Sequence, residues 1–285
     1  MTKKKTRGLL IGTGLTVVFL FYLTPFVMVV INSLKQKRDI IKNPFSLSPE
    51  MGMSLENYAK AFEKMNYVKV FGNSLLITGM STLIVIMLSS MCAYYIVRAK
   101  NKGANLIYAL MIASMIIPFQ SLMIPLVSIY GAKLQLMNNR GMLIYMHVGF
   151  AMSMSVFMFS GFIKSGVPVS LEEAAYLDGC SKFQTFTKVV FPLLKPTTST
   201  LIILNVLAFW NDYLLPSLVL GKKELYTLPL STYAFYGTYS ADFGTIMAAL
   251  VLTLAPILIL YLFSPVYNFC LINEIKNIRT QHLVV

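Results

Sequence analysis

A carboxylate, a carboxamide and an indole stand next to one another within a long apolar run near residue 210. They are Asp212, Asn211 and Trp210, and Asn205 precedes them in the same run. An unpaired charge inside a membrane costs roughly 3 kcal/mol or more, so ionisable groups there are functional candidates by default. The alternative is that Trp210 and Tyr213 form an interfacial aromatic belt, with Asp212 at the level of the lipid headgroups.

Two prolines interrupt another apolar run. They are Pro118 and Pro125, and the polar Gln120 lies between them. Proline lacks an amide hydrogen and kinks a helix, and a membrane tolerates this only where neighbours or water satisfy the freed carbonyls. A broken helix beside a translocation path and a simple packing kink both fit the pattern. We favour the path because Gln120 needs a polar partner.

The polar segment 170–196 begins with the signature of a short helix. Ser170 and Glu173 have the spacing of a capping box, in which each side chain bonds the amide of the other residue. We therefore predict a helix from 171 to about 178. Gly179 then ends it, because glycine adopts the left-handed conformation at little cost.

A second helix is predicted directly after this turn. Ser181 and Gln184 form another capping box, and the helix that they begin runs to Pro192. Two caps are more than a simple connection needs. The plain alternative is an ordinary pair of amphipathic helices at the membrane surface.

The composition is that of an integral membrane protein. Of the 285 residues, 56% are hydrophobic and 12% are charged, and the mean hydropathy is +0.69. Soluble domains have about 45–50% apolar and about 25% charged residues. The longest polar segment, 33–69, is too short for a soluble domain. The formal net charge of +13 is spread over short segments, which indicates membrane-flanking charge and not nucleic-acid binding.

Several classes of chemistry find no support. Cys92, Cys180 and Cys270 have neither disulfide nor metal-site spacing. There is no Gly-x-x-x-x-Gly-Lys-Ser/Thr loop, so this chain does not hydrolyse ATP. The His-Glu-x-x-His and Gly-x-Ser-x-Gly motifs are also absent, which disfavours a membrane enzyme. His147 is expected to be a satisfied interior polar group.

We predict six apolar spans, each long enough to cross a hydrocarbon core of about 30 Å. They are 9–32, 70–97, 104–130, 141–163, 198–220 and 245–269. The basic amino terminus and the segment 170–196 favour placing both on the cytoplasmic side, with both termini inside. The lysine-rich segment 33–69 then falls outside, which runs against the charge rule.

The pattern Glu173-Ala174-Ala175, followed by Gly179 and the pair Phe191-Pro192, resembles the EAA loop of ABC importer permeases. In that family the loop is cytoplasmic, and its first helix docks into a cleft of the ATP-hydrolysing subunit. The resemblance implies that Glu173 pairs with a basic group there, that the alanines allow close approach and that Gly179 sets the angle between the helices. The residues assigned to this coupling are Glu172, Glu173, Ala174, Ala175, Asp178, Gly179 and Pro192. The carboxylates also offset the partial positive charge at the helix start.

A second resemblance concerns the solute. Trp-Asn-Asp-Tyr with Pro216, together with Tyr-Thr-Leu-Pro at 226–229 and the Pro118…Pro125 run, is similar to permeases that import sugars. Aromatic rings can stack on the apolar faces of a pyranose, and Asn and Asp can bind its hydroxyls. The candidate substrate path is Gln120, Asn205, Trp210, Asn211 and Asp212. The tail 264–285 departs from the family pattern.

We therefore expect an all-α membrane protein with six transmembrane helices and a cytoplasmic helix-turn-helix coupling loop, the type I permease fold of ABC importers. The resemblance implies the smaller permease of a maltose-type sugar importer in a bacterial cytoplasmic membrane. Its partners would be a homologous permease, two ATPase subunits and an extracytoplasmic binding protein or lipoprotein. ATP and Mg would be bound by the ATPases and no cofactor by this chain.

Two alternatives remain open at this point. One is an importer of another solute, such as a glycerol phosphate diester, a polyamine or a peptide. The other is a stand-alone carrier, which would predict inverted repeats and ionisable residues in several spans.

Overall fold

The computed structural model describes residues 2–46, 52–99, 101–235 and 242–260, and this part of the chain contains helices and no strands. The helices are α1 (Thr2–Ser33), α2 (Lys37–Lys42), α3 (Glu56–Met65), α4 (Tyr67–Ala99), α5 (Lys102–Ser114), α6 (Phe119–Leu126), α7 (Arg140–Gly166), α8 (Val169–Leu177), α9 (Lys182–Thr185), α10 (Phe191–Leu193), α11 (Lys195–Trp210), α12 (Leu214–Val219), α13 (Leu228–Thr232) and α14 (Phe243–Leu260). The atypical tail and the end of the last predicted span lie outside the described residues.

Four of these helices are long and apolar enough to cross a membrane. They are α1 from Ile11 onward, α4, α7 and α14. Two bent pairs also pass the same test: α5 with the helix Phe119–Lys133, and the helix Lys182–Leu193 with α11. If each pair counts as one span, the total reaches six, the number expected from hydropathy.

The third predicted span is broken into two helices. α5 ends at Ser114 and α6 begins at Phe119, and the two segments are bent by 97°. Pro118 lies at the break, because its missing amide and its restricted backbone favour a helix start over a helix interior. Pro125 lies inside α6, which continues as a π-helical turn over Val127–Lys133.

The fifth predicted span, 198–220, is wrong as a single helix. α11 ends at Trp210, and a break at 211–213 separates it from the short α12. The apolar run continues across this break, so hydropathy does not reveal it. Two features favour the break. Pro216 cannot donate to the Asp212 carbonyl as a continuous helix requires, and the Asp212 side chain accepts hydrogen bonds from the amides of Leu214 and Leu215, which favours a new helix start.

The chain divides into two compact units, 1–67 with 231–256, and 68–230 with 257–285. In the first unit, the buried Lys35 donates to the carbonyls of Asn43 and Pro44 at 3.0 and 3.2 Å. Asn57 on α3 donates to the carbonyls of Ser33 and Lys35. The bonds of Asn57 join the end of α1 to α3.

The second unit contains an apolar core beside the segment 170–196. Buried side chains of α4, α7, α11 and the π-helical turn Phe186–Val190 meet there. Ile96, Phe159, Ile163, Val190 and Leu201 are members of this cluster. The segment is therefore packed onto the ends of long apolar helices and is not a free loop.

Candidate functional site

α8 begins two residues earlier than predicted and without the expected cap. Pro168 occupies the N-cap position, no side-chain cap bond forms, and Ser170 lies inside the helix. The capping box of Ser170 and Glu173 is therefore wrong. Proline has an extended backbone here, which places Val169 at the first helical position and leaves Ser170 too far along to act as the cap.

The end of α8 agrees with prediction. Gly179 has a φ of +82°, in the left-handed region. Its amide bonds the carbonyl of Tyr176, and the amide of Cys180 bonds the carbonyl of Ala175, which together form a Schellman motif. A Cβ built on Gly179 would meet no atom within 4 Å, so backbone conformation and not space favours glycine here.

The second helix begins with the predicted capping box. The Ser181 hydroxyl accepts from the Gln184 amide at 3.3 Å, and the Gln184 side chain accepts from the Ser181 amide at 2.9 Å. The chain then passes through the π-helical turn Phe186–Val190 and α10, in which Pro192 is exposed.

Most residues of α8 are exposed, and only a narrow face of the helix is buried. Of its residues, only Glu172 and Ala175 are buried. Of the predicted coupling residues, the exposed ones are Glu173, Ala174, Asp178, Gly179 and Pro192. Large apolar side chains are also exposed nearby, including Leu177 at 90% and Phe183 at 63%. Neither Leu177 nor Phe183 is predicted from the sequence, although an apolar residue in a polar segment is a usable signal.

The two neighbouring carboxylates of α8 have different environments. Glu173 is exposed, whereas the side chain of Glu172 is 5% exposed and faces α4. Its Oε1 accepts from Arg98 Nε at 2.8 Å and Nη2 at 2.6 Å, and its Oε2 accepts from the Tyr94 hydroxyl at 2.9 Å. Arg98 Nη2 also donates to the carbonyl of Val167 at 2.9 Å. Neither Arg98 nor Tyr94 is among the residues that the sequence assigned to coupling.

Inside the span region, Asp212 pairs with a histidine. Its Oδ2 lies 3.1 Å from Nε2 of the buried His147 on α7. The ring of His147 stacks on Phe209 with centroids 4.6 Å apart. His147 Nδ1 has no hydrogen-bond partner among the described residues. The expectation of a satisfied interior histidine therefore holds for one ring nitrogen only.

The other predicted path residues divide between interior and surface. Trp210 is buried and contacts Phe71 edge to face, with centroids 5.9 Å apart. Asn205 is buried, and its Nδ2 has no partner within the described part of the chain. Asn211 is exposed and donates to the Leu207 carbonyl. Gln120 is exposed in the first turn of α6.

A cavity of about 310 Å³ lies at the bend between α5 and α6. Its lining includes the aromatic side chains of Tyr130, Tyr145 and Phe150, and the hydroxyls of Ser114 and Ser153, which are 2.9 Å apart. The sequence indicated the break but none of these residues, because they come together only through the bend.

The first unit carries a separate charged cluster. Lys60 Nζ lies 2.7 Å from Glu56 Oε1, and this hydrogen bond raises the pKa of the exposed Lys60 amine. Asp242 accepts from the Thr245 hydroxyl at 2.6 Å near the start of α14. Within the described ranges, no group of three His, Cys, Asp or Glu side chains is placed to hold a metal ion.

Comparison with known proteins identifies the family. Residues 85–268 match the family described as binding-protein-dependent transport system inner membrane component. The chain is 41% identical over 245 residues to the probable starch degradation products transport system permease protein AmyC of Thermoanaerobacterium thermosulfurigenes, covering 86% of this chain and 88% of that protein. It is 37% identical to the multiple sugar-binding transport system permease protein MsmG of Streptococcus mutans, covering 87% and 89%.

The fold comparison agrees. A chain from the crystal structure of a bacterial ABC transporter involved in the import of the acidic polysaccharide alginate matches with a TM-score of 0.79 at 18% identity. The match covers 94% of this chain and 98% of that one. The chain thus has the ABC importer permease fold, and it belongs to the family of binding-protein-dependent transport system inner membrane components.

Proposed function

We propose that this permease carries a sugar inward across a bacterial cytoplasmic membrane, driven by ATP hydrolysis on separate subunits. The ATP-driven part of this proposal rests on the exposed surface of α8 and α9. Leu177 and Phe183 are mostly exposed there, beside the small side chain of Ala174. Apolar patches that are exposed and rimmed by polar residues mark protein-interaction sites, and these side chains would contribute to one. Its position between two membrane-crossing segments fits an ATPase cleft.

The sugar substrate is supported by the relatives. AmyC and MsmG are named for starch degradation products and multiple sugars, and MelC of Bacillus subtilis, 31% identical over 92% of this chain, for melibiose, raffinose and stachyose. The partly exposed Asp212, and the amide of Asn205, which has no partner among the described residues, offer hydrogen bonds to hydroxyl groups. With Gln120, Trp210 and Asn211 they form the proposed path.

The other subunits of the transporter are separate protein chains. A second permease completes the pore, an extracytoplasmic binding protein delivers the sugar, and two ATPases bind ATP and Mg. Both termini and the segment 170–196 lie in the cytoplasm. Closure of the ATPases moves α8, which turns the pore from inward-facing to outward-facing as a rigid-body change.

A cysteine crosslink tests the coupling surface. Cys92, Cys180 and Cys270 are first replaced, and Ala174→Cys is co-expressed with the ATPase carrying a cysteine in its cleft. Ala175→Cys is the matched control, because Ala174 is exposed and Ala175 is buried. We expect an ATP-dependent crosslink at 174 and none at 175. No crosslink at 174 or at the exposed Leu177, with insertion confirmed, would favour a stand-alone carrier.

Uptake into proteoliposomes tests the solute. The complete transporter with its binding protein is offered maltooligosaccharides, raffinose, arabinooligosaccharides and diacetylchitobiose, with a dipeptide and a glycerol phosphate diester as comparators. We expect ATP-dependent uptake of at least one sugar. Uptake of a comparator only would overturn the sugar assignment and leave the ATP-driven mechanism intact.

A further inference from the structure

The buried carboxylate of α8 points away from the proposed ATPase surface and into the protein. We propose that Glu172, Arg98 and Tyr94, here called the Glu172 network, are positioning residues that join α8 rigidly to α4, so that motion of α8 is passed directly to that membrane helix. The inference rests on the proposed coupling role of α8. It reassigns Glu172 from contact with the ATPase to transmission inside the permease.

The side chains buried by α8 support this assignment. Only Glu172 and Ala175 are buried, and the alanine contributes a single methyl group. Glu172 is therefore the one long side chain that α8 buries against the protein. Its partners lie on α4, 74 and 78 residues earlier in the chain.

The geometry of the network restricts relative movement. Both oxygens of Glu172 are bonded, one to two nitrogens of Arg98 and the other to the hydroxyl of Tyr94. The planar guanidinium holds its donors in a fixed arrangement, so several bonds must break together before α8 can move away. Arg98 also bonds the Val167 carbonyl, which adds the turn between α7 and α8 to the same unit.

The charges also suit the helix ends on which they lie. Glu172 is in the first turn region of α8, near the partial positive charge of its amides, and Arg98 is in the last turn of α4, near its carbonyls. Burial makes the pair hard to separate, since either charge alone would lose its solvation without compensation. Tyr94 also connects α4 to the later part of the segment 170–196. Its ring contacts Phe186 in the π-helical turn Phe186–Val190, with centroids 5.3 Å apart.

The competing explanation is that this ion pair only stabilises the fold. The test therefore needs a measurement that does not change when only the stability of the protein changes. Spin labels are placed at Ala174→Cys on α8 and at Tyr95→Cys, an exposed position on α4, in the cysteine-free complete complex. Pulsed electron resonance measures the distribution of the distance between them. Sugar uptake and ATP hydrolysis are measured in proteoliposomes on the same variants of the Glu172 network without spin labels.

We expect Glu172→Gln and Arg98→Gln to broaden the distance distribution and to lower sugar uptake per ATP hydrolysed by roughly 2- to 30-fold, the range for mutations that alter coupling. Lys102→Gln is the matched control, because it removes an exposed positive charge at the start of α5, close in the chain to the end of α4 where Arg98 lies. It should change neither quantity. Arg98→Lys keeps the charge without the planar fork and should give an intermediate result.

Tyr94→Phe removes the hydroxyl that donates to Glu172 and keeps the ring. It is the variant to use if the charge variants fail to assemble, and we expect a smaller broadening in the same direction. A distribution as narrow as that of the wild type in these variants, with unchanged uptake per ATP, would overturn the inference. If Ala174→Cys with an otherwise unchanged Glu172 network shows no ATP-dependent crosslink, the proposed coupling surface fails, while the distance measurement still decides whether the network holds α8 to α4.

Discussion

The imidazole of His147 lies 3.1 Å from the carboxylate of Asp212, and the two residues come from segments 65 positions apart. The same carboxylate accepts from the amides of Leu214 and Leu215 through its other oxygen. Asp212 therefore connects α7 to the break between α11 and α12. This structural role exists whether or not Asp212 also contacts a solute.

Asp212→Ala and Asp212→Asn should differ clearly in stability. Alanine leaves the buried His147 and the amides of Leu214 and Leu215 without their partner, and each unsatisfied buried group costs about 1–3 kcal/mol. Asparagine keeps an oxygen acceptor, so we expect only a small loss. Thermal unfolding in detergent measures both variants. An alanine variant that unfolds at the wild-type temperature would contradict the role of Asp212 in this connection.

Substitutions of Gly179 separate backbone strain from loss of docking. Asparagine tolerates a φ of +82° far better than valine, and a Cβ meets no atom within 4 Å. We expect Gly179→Asn and Gly179→Asp to insert with similar, small losses of stability, and Gly179→Val to be destabilised more, by roughly 1–2 kcal/mol.

The effect of Gly179→Asp on transport is expected at the ATPase surface. The exposed turn leaves room for the side chain in the free permease, so any loss of uptake must come from the docked state. Uptake per ATP hydrolysed is the measurement, and we expect Gly179→Asp to lower it more than Gly179→Asn. Normal coupling in the aspartate variant would count against docking at this turn.

The two serines of the helical segment should respond differently to alanine. Ser181 caps α9, and loss of an N-cap costs about 1 kcal/mol. Ser170 lies inside α8 without a capping bond. Hydrogen exchange should therefore become faster at 182–185 in Ser181→Ala and stay unchanged in α8 of Ser170→Ala. Faster hydrogen exchange at the start of α8 in Ser170→Ala would instead support the predicted capping box of Ser170 and Glu173.

Asn73 on α4 holds a distant turn in place. Its Nδ2 donates to the carbonyls of Glu224 and Tyr226, each at 3.0 Å, and the neighbouring Ser74 accepts from the Leu228 amide at 2.8 Å. Replacing Asn73 with leucine of similar size removes two bonds and should lower the free energy of unfolding by about 1–3 kcal/mol. Asn211→Leu is the comparison variant, since that amide is exposed and, within the described part of the chain, bonds only the Leu207 carbonyl one helical turn earlier. We expect a smaller loss there, and equal losses would argue against a special role for Asn73.

Some features of the site follow from residues that are neighbours in the chain. The left-handed Gly179 and the capping box of Ser181 and Gln184 involve bonds that span a few positions, so the residue types alone predict them. The break near Pro118 is similar, because proline removes a backbone donor wherever it lies. The capping box at Ser170 failed because Pro168, just before it, set the helix start.

The sequence alone determined the all-helical membrane class and the presence of long apolar stretches, since burial in lipid requires such stretches with internally bonded backbone. The tertiary structure decided which of two adjacent carboxylates faces inward. Successive helix residues point about 100° apart, so Glu172 meets Arg98 and Tyr94 only because α8 packs against α4 with that side. In the same way, Asp212 finds His147 only through the packing of α7 beside the end of α11. Partners so far apart in the chain depend on how the helices pack, which no local pattern records.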